Sequence, residues 1–384
     1  MTDTIKGFRD YQGKEAEKQE VIKEIIKSVF QRYGFQPAQT PIIEDRKFVQ
    51  GDNTNDEAVS DIFKLEDKGK RKLALRYEFT FQLKRLMQNQ KTPYKRFQIG
   101  PVFRDEPISG NRVRQFTQCD VDVVGSTLKD EAEVLAVAND ILNALKIKSI
   151  ILINNRKLLN EILDDNEIPE NKREQVLREI DKYDKLPETE LRKNLRSLNA
   201  ENVLDSLKKG EKYFSQFESY KEVIGLIEYC KLYGVDVKFA PTVIRGLSYY
   251  NGTVFEIKTQ GIKETITAGG SYIFNKVQCT GISFGIERLS AVTKMIIDLD
   301  KILIVSLGED KKSIQIAQRL RSQGKNVSVF YGKPSKALEY ANRYDIKKVI
   351  FIGQKEVQKK QLTIKDLVTG KQRTITITRG RFKI

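Results

Sequence analysis

The stretch that decides the fold is "GPVFRDEPISGNRVRQF", residues 100–116. Two strand-like runs, "KRFQIGPVFRDE" and "RQFTQCDVDVVG", are joined here by "PISGNRV", which is rich in the residues that turns favour. The pattern predicts a hairpin. The i, i+2 spacing places Arg104 and Glu106 on one face of its first strand, because successive strand side chains point to opposite faces.

Three arginines surround this predicted hairpin: Arg104, Arg112 and Arg114. Guanidinium groups match phosphate oxygens in geometry and charge, so together they could clamp a polyphosphate. The alternative is that an exposed hairpin simply carries arginines. The hairpin alone favours that alternative.

A second glycine-containing stretch, "GISFGIERL" (281–289), predicts an apolar strand followed by a helix that begins near Glu287 and Arg288. Glycines at such a point let a nucleotide or another backbone approach closely. A buried strand that tolerates glycine is the alternative.

The composition excludes several kinds of chemistry. The 384 residues include no histidine and no tryptophan, so histidine-based acid–base catalysis, Ser-His-Asp triads and histidine zinc sites are impossible. The three cysteines are far apart and form no CxxC pair, which predicts neither zinc nor a disulfide framework and favours a reducing cytoplasm. No apolar run approaches 18 residues, so we expect no membrane span.

The positive charge is concentrated at the C-terminal end. Residues 301–384 contain 20 Lys and Arg against 6 Asp and Glu, a net charge of +14, which leaves only +2 for the first 300 residues. Such a basic unit indicates a polyanionic partner, most simply nucleic acid. A solvated lysine-rich surface would have the same composition.

Periodicity divides the chain into regions. Apolar residues at helical spacing predict amphipathic helices over 14–35 and 128–147. Residues 155–232 are densely charged, leucine-rich and helical in period, which indicates an inserted helical module. From residue 301 short apolar strands alternate with helices, a pattern typical of a parallel or mixed α/β domain.

The two glycine-containing stretches, in this order, resemble motifs 2 and 3 of class II aminoacyl-tRNA synthetases. "RYGFQPAQTPIIED" resembles motif 1, with Pro41 as its proline. "LALRYEFT", "RQFTQCDVDVVG", "VIRGLSYYNGTVFEI" and "AGGSY" resemble the histidine-binding signatures of the histidyl-tRNA synthetase family. The resemblance extends from near residue 5 to the basic C-terminal region.

The resemblance implies an α+β catalytic domain, with an antiparallel sheet flanked by helices, over residues 1–154 and 233–298. A helical insertion would occupy 155–232 and an anticodon-binding α/β domain 299–384. It also implies a cytoplasmic homodimer that binds ATP with Mg²⁺, L-histidine and tRNA(His), without a protein-only metal cage.

The resemblance assigns an ATP site. Arg104 would grip the α-phosphate, Glu106 would orient the adenine and Phe116 would stack on it. Arg112 would reach the outer phosphates, and Arg288 would cover the other face of the adenine or the γ-phosphate.

A histidine site is implied as well. Glu78, Thr80 and Gln118 would hold the α-ammonium group, and Asp122 and Tyr250 would contact the imidazole. The charges suit these roles, because an ammonium needs a carboxylate and an imidazole is best distinguished by a hydrogen-bonding pair at its two nitrogens.

Three further residues complete this implied site. Arg245 would lie between the substrate carboxylate and the α-phosphate, where guanidinium groups stabilise developing charge without proton transfer. Tyr249 belongs to the same signature, and Tyr272 would lie in a second tyrosine-bearing loop.

The chain departs from the family pattern at two of these positions. The family usually has Glu where Asp122 stands, and it typically has Arg before Tyr272 and Asp-Gly after it. The alternative function is a catalytically silent relative, either a regulatory subunit or a nucleic-acid-binding protein. The basic C-terminal region and the presence of Glu78, Arg104 and Arg245 favour the enzyme.

Overall fold

The computed structural model describes residues 3–51, 61–107, 113–244, 249–260, 262 and 265–376. The chain divides into two compact units, Met1–Met295 and Ile296–Ile384. The first contains an eight-stranded and a three-stranded sheet, and the second a five-stranded sheet. The finer domain boundaries of the sequence analysis stay a prediction.

The eight-stranded sheet has the order β1-β5-β6-β11-β10-β9-β7-β8, and the small sheet the order β2-β4-β3. Antiparallel pairs form the centre of the large sheet, and the parallel pairs β1–β5 and β7–β8 lie at its edges. The strands of the first unit are β1 (Gln36–Pro37), β2 (Ile43–Asp45), β3 (Lys64–Glu66), β4 (Lys72–Leu75), β5 (Tyr94–Phe103), β6 (Gln115–Val124), β7 (Ser149–Asn155), β8 (Val237–Phe239), β9 (Tyr250–Thr259), β10 (Thr267–Phe274) and β11 (Val277–Gly285).

Helices of the first unit include two long amphipathic ones that the sequence predicts, α1 and α4. In α1 the buried residues Ile22, Ile26, Val29 and Phe30 recur at helical spacing and pack into the same core as β6. The helices are α1 (Gly13–Arg32), α2 (Arg46–Gln50), α3 (Leu83–Leu86), α4 (Leu128–Ala144), α5 (Arg156–Asp165), α6 (Glu170–Ile180), α7 (Glu188–Ser197), α8 (Glu201–Leu207), α9 (Glu211–Phe214), α10 (Tyr220–Leu232) and α11 (Ile286–Val292).

The helical segment α5–α10 connects β7 to its parallel neighbour β8. Parallel neighbours need a crossover connection, and the segment supplies one. Its buried leucines, including Leu158, Leu191 and Leu204, belong to the hydrophobic core that also contains Val121 of β6. The helices therefore pack on the same core as the large sheet.

The predicted hairpin is present, with β5 and β6 in antiparallel register from Tyr94↔Val124 to Phe103↔Gln115. One detail of the prediction is wrong, because β5 ends at Phe103, so Arg104 and Glu106 follow the strand rather than lie on it. The backbone N–H of Arg104 still donates to Arg114 O at 2.9 Å. Arg114, however, precedes the first residue of β6.

The position of Tyr272 is also corrected. It lies inside β10, which pairs with both β9 and β11, and not in a loop. The strand passes through Gly270, where a Cβ atom would come within 2.5 Å of Thr253 O and 2.8 Å of the Tyr250 ring. Glycine thus lets the neighbouring strand and its tyrosine approach closely.

The second unit is a mixed α/β fold, as the sequence predicts. Its sheet has the order β13-β12-β14-β15-β16, with β12 parallel to both neighbours and the last two pairs antiparallel. The elements are β12 (Lys301–Ser306), α12 (Asp310–Arg321), β13 (Asn326–Tyr331), α13 (Pro334–Arg343), β14 (Lys348–Ile352), α14 (Gln354–Lys359), β15 (Gln361–Asp366) and β16 (Gln372–Thr376).

Candidate active site

Strand β6 presents three polar side chains on one face of the large sheet: Gln118, Asp120 and Asp122. They follow the strand period of two, and each is only 4% exposed. In the register of the sheet Asp122 lies between Arg96 of β5 and Gly281 of β11. A polar, buried patch is thereby built at the centre of the sheet.

Asp122 accepts a hydrogen bond from the Tyr272 hydroxyl, with an O–Oδ1 distance of 2.5 Å. Its Oδ2 lies 2.8 Å from Arg96 Nη2. The two atoms form an ion pair, but their geometry is not that of a hydrogen bond. Burial raises the pKa of Asp122, and both partners act in the opposite direction. The same burial, beside the Asp122 charge, raises the pKa of Tyr272 well above its usual value.

Gly281 makes room for this carboxylate. A Cβ atom on Gly281 would lie 2.3 Å from Asp122 Oδ1 and 2.7 Å from Val121 O. Any larger residue would therefore displace the carboxylate from Tyr272. This close approach explains why a glycine stands at the start of "GISFG".

Arg96 is fully buried, with 0% of its surface exposed. Its Nη2 donates to Phe79 O at 3.0 Å and lies beside the carboxylate of Asp122. A buried guanidinium needs such partners, because an unpaired charge inside a protein is costly. The arginine therefore ties β5 to both β6 and the bend that follows β4.

Glu78 and Thr80 lie in that bend, between β4 and α3. Burial raises the pKa of the Glu78 carboxyl to about 7. The positive charge of Arg104 acts to lower it, and the charges of Asp120 and Asp122 raise it further. Thr80 is half-buried, and its carbonyl oxygen accepts a hydrogen bond from Leu83 N at the start of α3.

Arg104 lies between the bend and β6. Its Nε donates to Tyr77 O at 3.2 Å, and its Nη2 reaches Gln118 Oε1 at 3.5 Å. Glu106 Oε1 is 4.0 Å from Nη1, and the guanidinium carbon lies 5.1 Å from the centre of the Phe116 ring. The half-buried arginine thus joins the residues of the predicted ATP site to those of the predicted histidine site.

Three tyrosines form an aromatic wall beside the carboxylates. The ring centres of Tyr249 and Tyr250 are 4.7 Å apart, and those of Tyr249 and Tyr272 are 5.5 Å apart in an edge-on contact with an interplanar angle of 65°. Burial raises the pKa of Tyr249 well above its usual value, and the charge of Glu78 contributes. Tyr249 therefore lies close enough to Glu78 for that charge to act on its hydroxyl group.

The segment that resembles motif 3 contributes from the start of α11. Arg288 donates from Nη1 to Thr265 O at 2.7 Å. Glu287 accepts from the backbone N–H of Thr117, with distances of 3.0 and 3.1 Å to its two oxygens. Glu287 thus anchors the helix to β6, and Arg288 lies beside the segment that precedes β10.

Two of the predicted site residues, Arg112 and Arg245, lie outside the described residues. Of the others, the structure gathers Glu78, Arg104, Gln118, Asp122, Tyr249, Tyr250 and Tyr272 around one buried polar space, with Thr80, Glu106 and Phe116 next to it. Arg288 lies at the start of α11, where it contacts Thr265.

Sequence reasoning missed Arg96 and Asp120. Asp120 accepts from Gln118 Nε2 at 3.0 and 2.8 Å, and burial raises its pKa to about 7, with the charge of Asp122 adding to the effect. The signal for Asp120 was present, because it alternates with Gln118 and Asp122 along one strand. Arg96 gave no such signal, since its pairing depends on the register between β5 and β6.

Over the described residues, no group of three or more Cys, Asp or Glu side chains converges in a way that could hold a metal ion. Among the same residues, no helix is long and apolar enough to cross a membrane.

Comparison with known proteins places this site in a family. The family model for histidyl-tRNA synthetase matches residues 7–289, and the model for an anticodon-binding domain matches residues 301–380. Histidine--tRNA ligase 1 of Bacillus cereus is 32% identical, and 97% of each chain is covered. Histidine--tRNA ligase of Clostridium acetobutylicum is 33% identical, with 92% of each chain covered.

The fold is shared with a solved structure as well. The crystal structure of histidyl-tRNA synthetase from Nostoc sp. PCC 7120 has a TM-score of 0.86, covers 97% of this chain and 96% of its own, and is 24% identical in sequence. With family models that match both units and relatives that match over nearly the whole length, the chain belongs to the histidyl-tRNA synthetase family.

Proposed function

We propose that the chain is a histidine–tRNA ligase, which joins L-histidine to the α-phosphate of ATP, releases diphosphate, and transfers the histidyl group to the 3′ end of tRNA(His). The observation that carries the proposal is the buried polar face of β6, where two aspartates and Gln118 lie beside Glu78 and Arg104. Such a pocket suits a small zwitterion with a polar ring.

The ammonium group of the substrate has a carboxylate and an amide oxygen to bind. Glu78 supplies the negative charge, and Gln118 Oε1 faces Arg104 and the same space. An ammonium bound here would lower the pKa of Glu78, because a nearby positive charge favours the ionised carboxylate. Thr80 lies two residues after Glu78 in the bend and would complete this end of the pocket.

The imidazole ring would be bound by Asp122 and the tyrosine wall. Neutral imidazole has one N–H donor and one acceptor nitrogen, so a carboxylate and a phenol together recognise it. Asp122 is fixed in place by Tyr272 and Arg96, and Tyr250 lies across from Tyr272 in the sheet. A side chain without both hydrogen-bonding nitrogens would leave a buried polar group unpaired, which penalises its binding.

The nucleotide would lie on the Arg104 side of the pocket. Phe116 offers a ring for adenine stacking, and Glu106 an acceptor for its amino group. A histidine carboxylate oxygen would attack the α-phosphorus, and the bond to diphosphate would break. Negative charge then develops on the α-phosphate oxygens, where Arg104 and Arg245 would stabilise it without proton transfer.

The remaining predicted roles complete the proposal. ATP would enter as its Mg²⁺ complex, with Arg112 and Arg288 at the outer phosphates or the adenine face. The second unit, with its basic composition and its match to an anticodon-binding domain, would bind tRNA(His). We also propose a cytoplasmic homodimer, on the resemblance of the segment around Pro41 to motif 1.

The test is ATP–diphosphate exchange by the full chain with each of the twenty amino acids. We expect exchange with histidine alone, and charging of tRNA(His) when that tRNA is added. Exchange with a different amino acid would overturn the assigned substrate. No exchange with any of them would support the catalytically silent alternative.

A further inference from the structure

The side-chain amide of Gln118 is held at both ends. Its Nε2 donates to both oxygens of Asp120, at 3.0 and 2.8 Å, and its Oε1 faces Arg104 Nη2 at 3.5 Å. Both Gln118 and Asp120 are 4% exposed, so water is largely excluded from these contacts. The amide therefore has a defined orientation.

The reversed orientation would be unfavourable at each end. The amide oxygen of Gln118 would then face the oxygens of Asp120, and its NH₂ group would face the guanidinium of Arg104. With Asp120 ionised, two acceptors would meet at one end and two donors at the other, so neither pair could form a hydrogen bond. Unpaired buried polar groups carry the full cost of lost hydration.

Asp120 also has neighbours on both adjacent strands. It lies between Gln98 of β5 and Ser283 of β11 in the strand register, and the Ser283 side chain hydrogen-bonds to it. Asp122, one step along the same face, has a different environment, because Arg96 and Tyr272 meet its two oxygens. The two aspartates therefore have different partners and different tasks.

We propose that Asp120 is a positioning residue, which fixes the Gln118 amide with its carbonyl oxygen toward the substrate ammonium. The inference rests on the proposed function, in which Gln118 and Glu78 bind that ammonium. It adds a residue that acts on the ligand only through another side chain. The pocket then presents two acceptors, the Glu78 carboxylate and Gln118 Oε1, where the ammonium binds.

A consequence is discrimination between an amino acid and its deaminated analogue. An ammonium can donate to both Glu78 and Gln118 Oε1, whereas imidazolepropionate has nothing to donate at that point. A Gln118 amide that is free to turn would offer its NH₂ group instead of its oxygen. Discrimination against the analogue would then decrease, although Glu78 would remain.

The experiment compares Asp120→Ala and Asp120→Asn with the unmodified full-length chain, by histidine-dependent ATP–diphosphate exchange and by inhibition with imidazolepropionate. In Asp120→Ala we expect the KM for histidine to rise about tenfold, the effect of one lost hydrogen bond, with kcat changed less than about twofold. The preference for histidine over the analogue should fall by a similar factor. Asp120→Asn keeps an acceptor for Gln118 Nε2 and should stay near the unmodified KM at pH 8.

Glu131→Gln is the matched control, because Glu131 is also a buried carboxylate but hydrogen-bonds to Ser271 on the opposite face of the sheet. Its KM for histidine should not change. If Asp120→Asn loses as much as Asp120→Ala, Asp120 acts by its charge and the inference is wrong. An unchanged KM in Asp120→Ala, or a fall in kcat alone, would overturn it too. An unmodified chain without histidine-dependent exchange would instead disprove the proposed function.

Discussion

The two faces of strand β6 are equally buried but differ in chemistry. On the helix side, Cys119, Val121 and Val123 are 0% exposed and belong to the main hydrophobic core. On the other side, Asp120 and Asp122 are 4% exposed and lie among polar and charged partners. One strand thus contributes to a conventional core and to a buried charged pocket.

The two faces differ in what burial costs, because buried carboxylates lose hydration that apolar side chains do not need. Burial of apolar side chains on the helix side stabilises the fold directly. On the pocket side, burial raises the pKa of both Glu78 and Asp120 to about 7, so their partners do not fully compensate the lost hydration. Carboxylates kept in this condition mark a candidate binding site, because a cationic ligand would supply the missing compensation.

The largest effect on stability is expected when a charge is placed on the apolar face of β6. We expect Val121→Asp to lower the free energy of unfolding by about 4 kcal/mol or more, because a buried carboxylate without partners is among the most destabilising substitutions. Thermal unfolding followed by circular dichroism measures the effect. Val121→Ala is the control, with an expected loss of about 1.6 kcal/mol from two buried methyl equivalents. Equal losses in the two variants would show that the helix side accommodates charge.

The next effect is on rate rather than stability. Arg104→Ala should reduce histidine-dependent ATP–diphosphate exchange about 100-fold, because in the proposed function Arg104 is a cation that stabilises charge on the α-phosphate. Arg192→Ala is the control, since Arg192 pairs with Glu188 and Asp205 in the helical segment. Its exchange rate should match that of the unmodified chain. A loss of less than about threefold in Arg104→Ala would contradict the role of Arg104 in adenylate formation.

Much of this contrast could be predicted from the sequence. Strand periodicity alone places Gln118 and Asp122 on one face and the valines on the other. The turn-forming residues of "PISGNRV" predict the hairpin, and helical spacing predicts α1 and α4. Local rules succeed here because each depends on neighbours within a few residues along the chain.

The missed features depend on contacts between distant parts of the chain. Arg96 meets Asp122 only because β5 and β6 pair in one particular register. Tyr272 lies in a strand because β9 and β11 both pair with its segment. The glycines of "AGGSY" had instead indicated a loop. Asp120 is a different case, because its partner Gln118 lies only two residues away, but no pattern of residues specifies which way the Gln118 amide is turned.

The smallest effect concerns pH and tests how closely the pocket carboxylates interact. In the proposed binding mode Glu78 must be ionised to bind the substrate ammonium, so the KM for histidine should rise as the pH falls below about 7. The charge of Asp120 helps to raise the pKa of Glu78, and therefore Asp120→Asn should move this rise to lower pH, by about one unit at most. The measurement is the KM for histidine from pH 8 to pH 5.5 in both proteins.

Two controls are built into this comparison. Titration of histidine itself is the same in the two series, so it cancels in their ratio. Asp122 and Arg104 also affect Glu78, but both are unchanged in the variant. A rise at the same pH in both proteins would mean that Asp120 and Glu78 do not share one electrostatic environment, and the charged face of β6 would then divide into two independent sites.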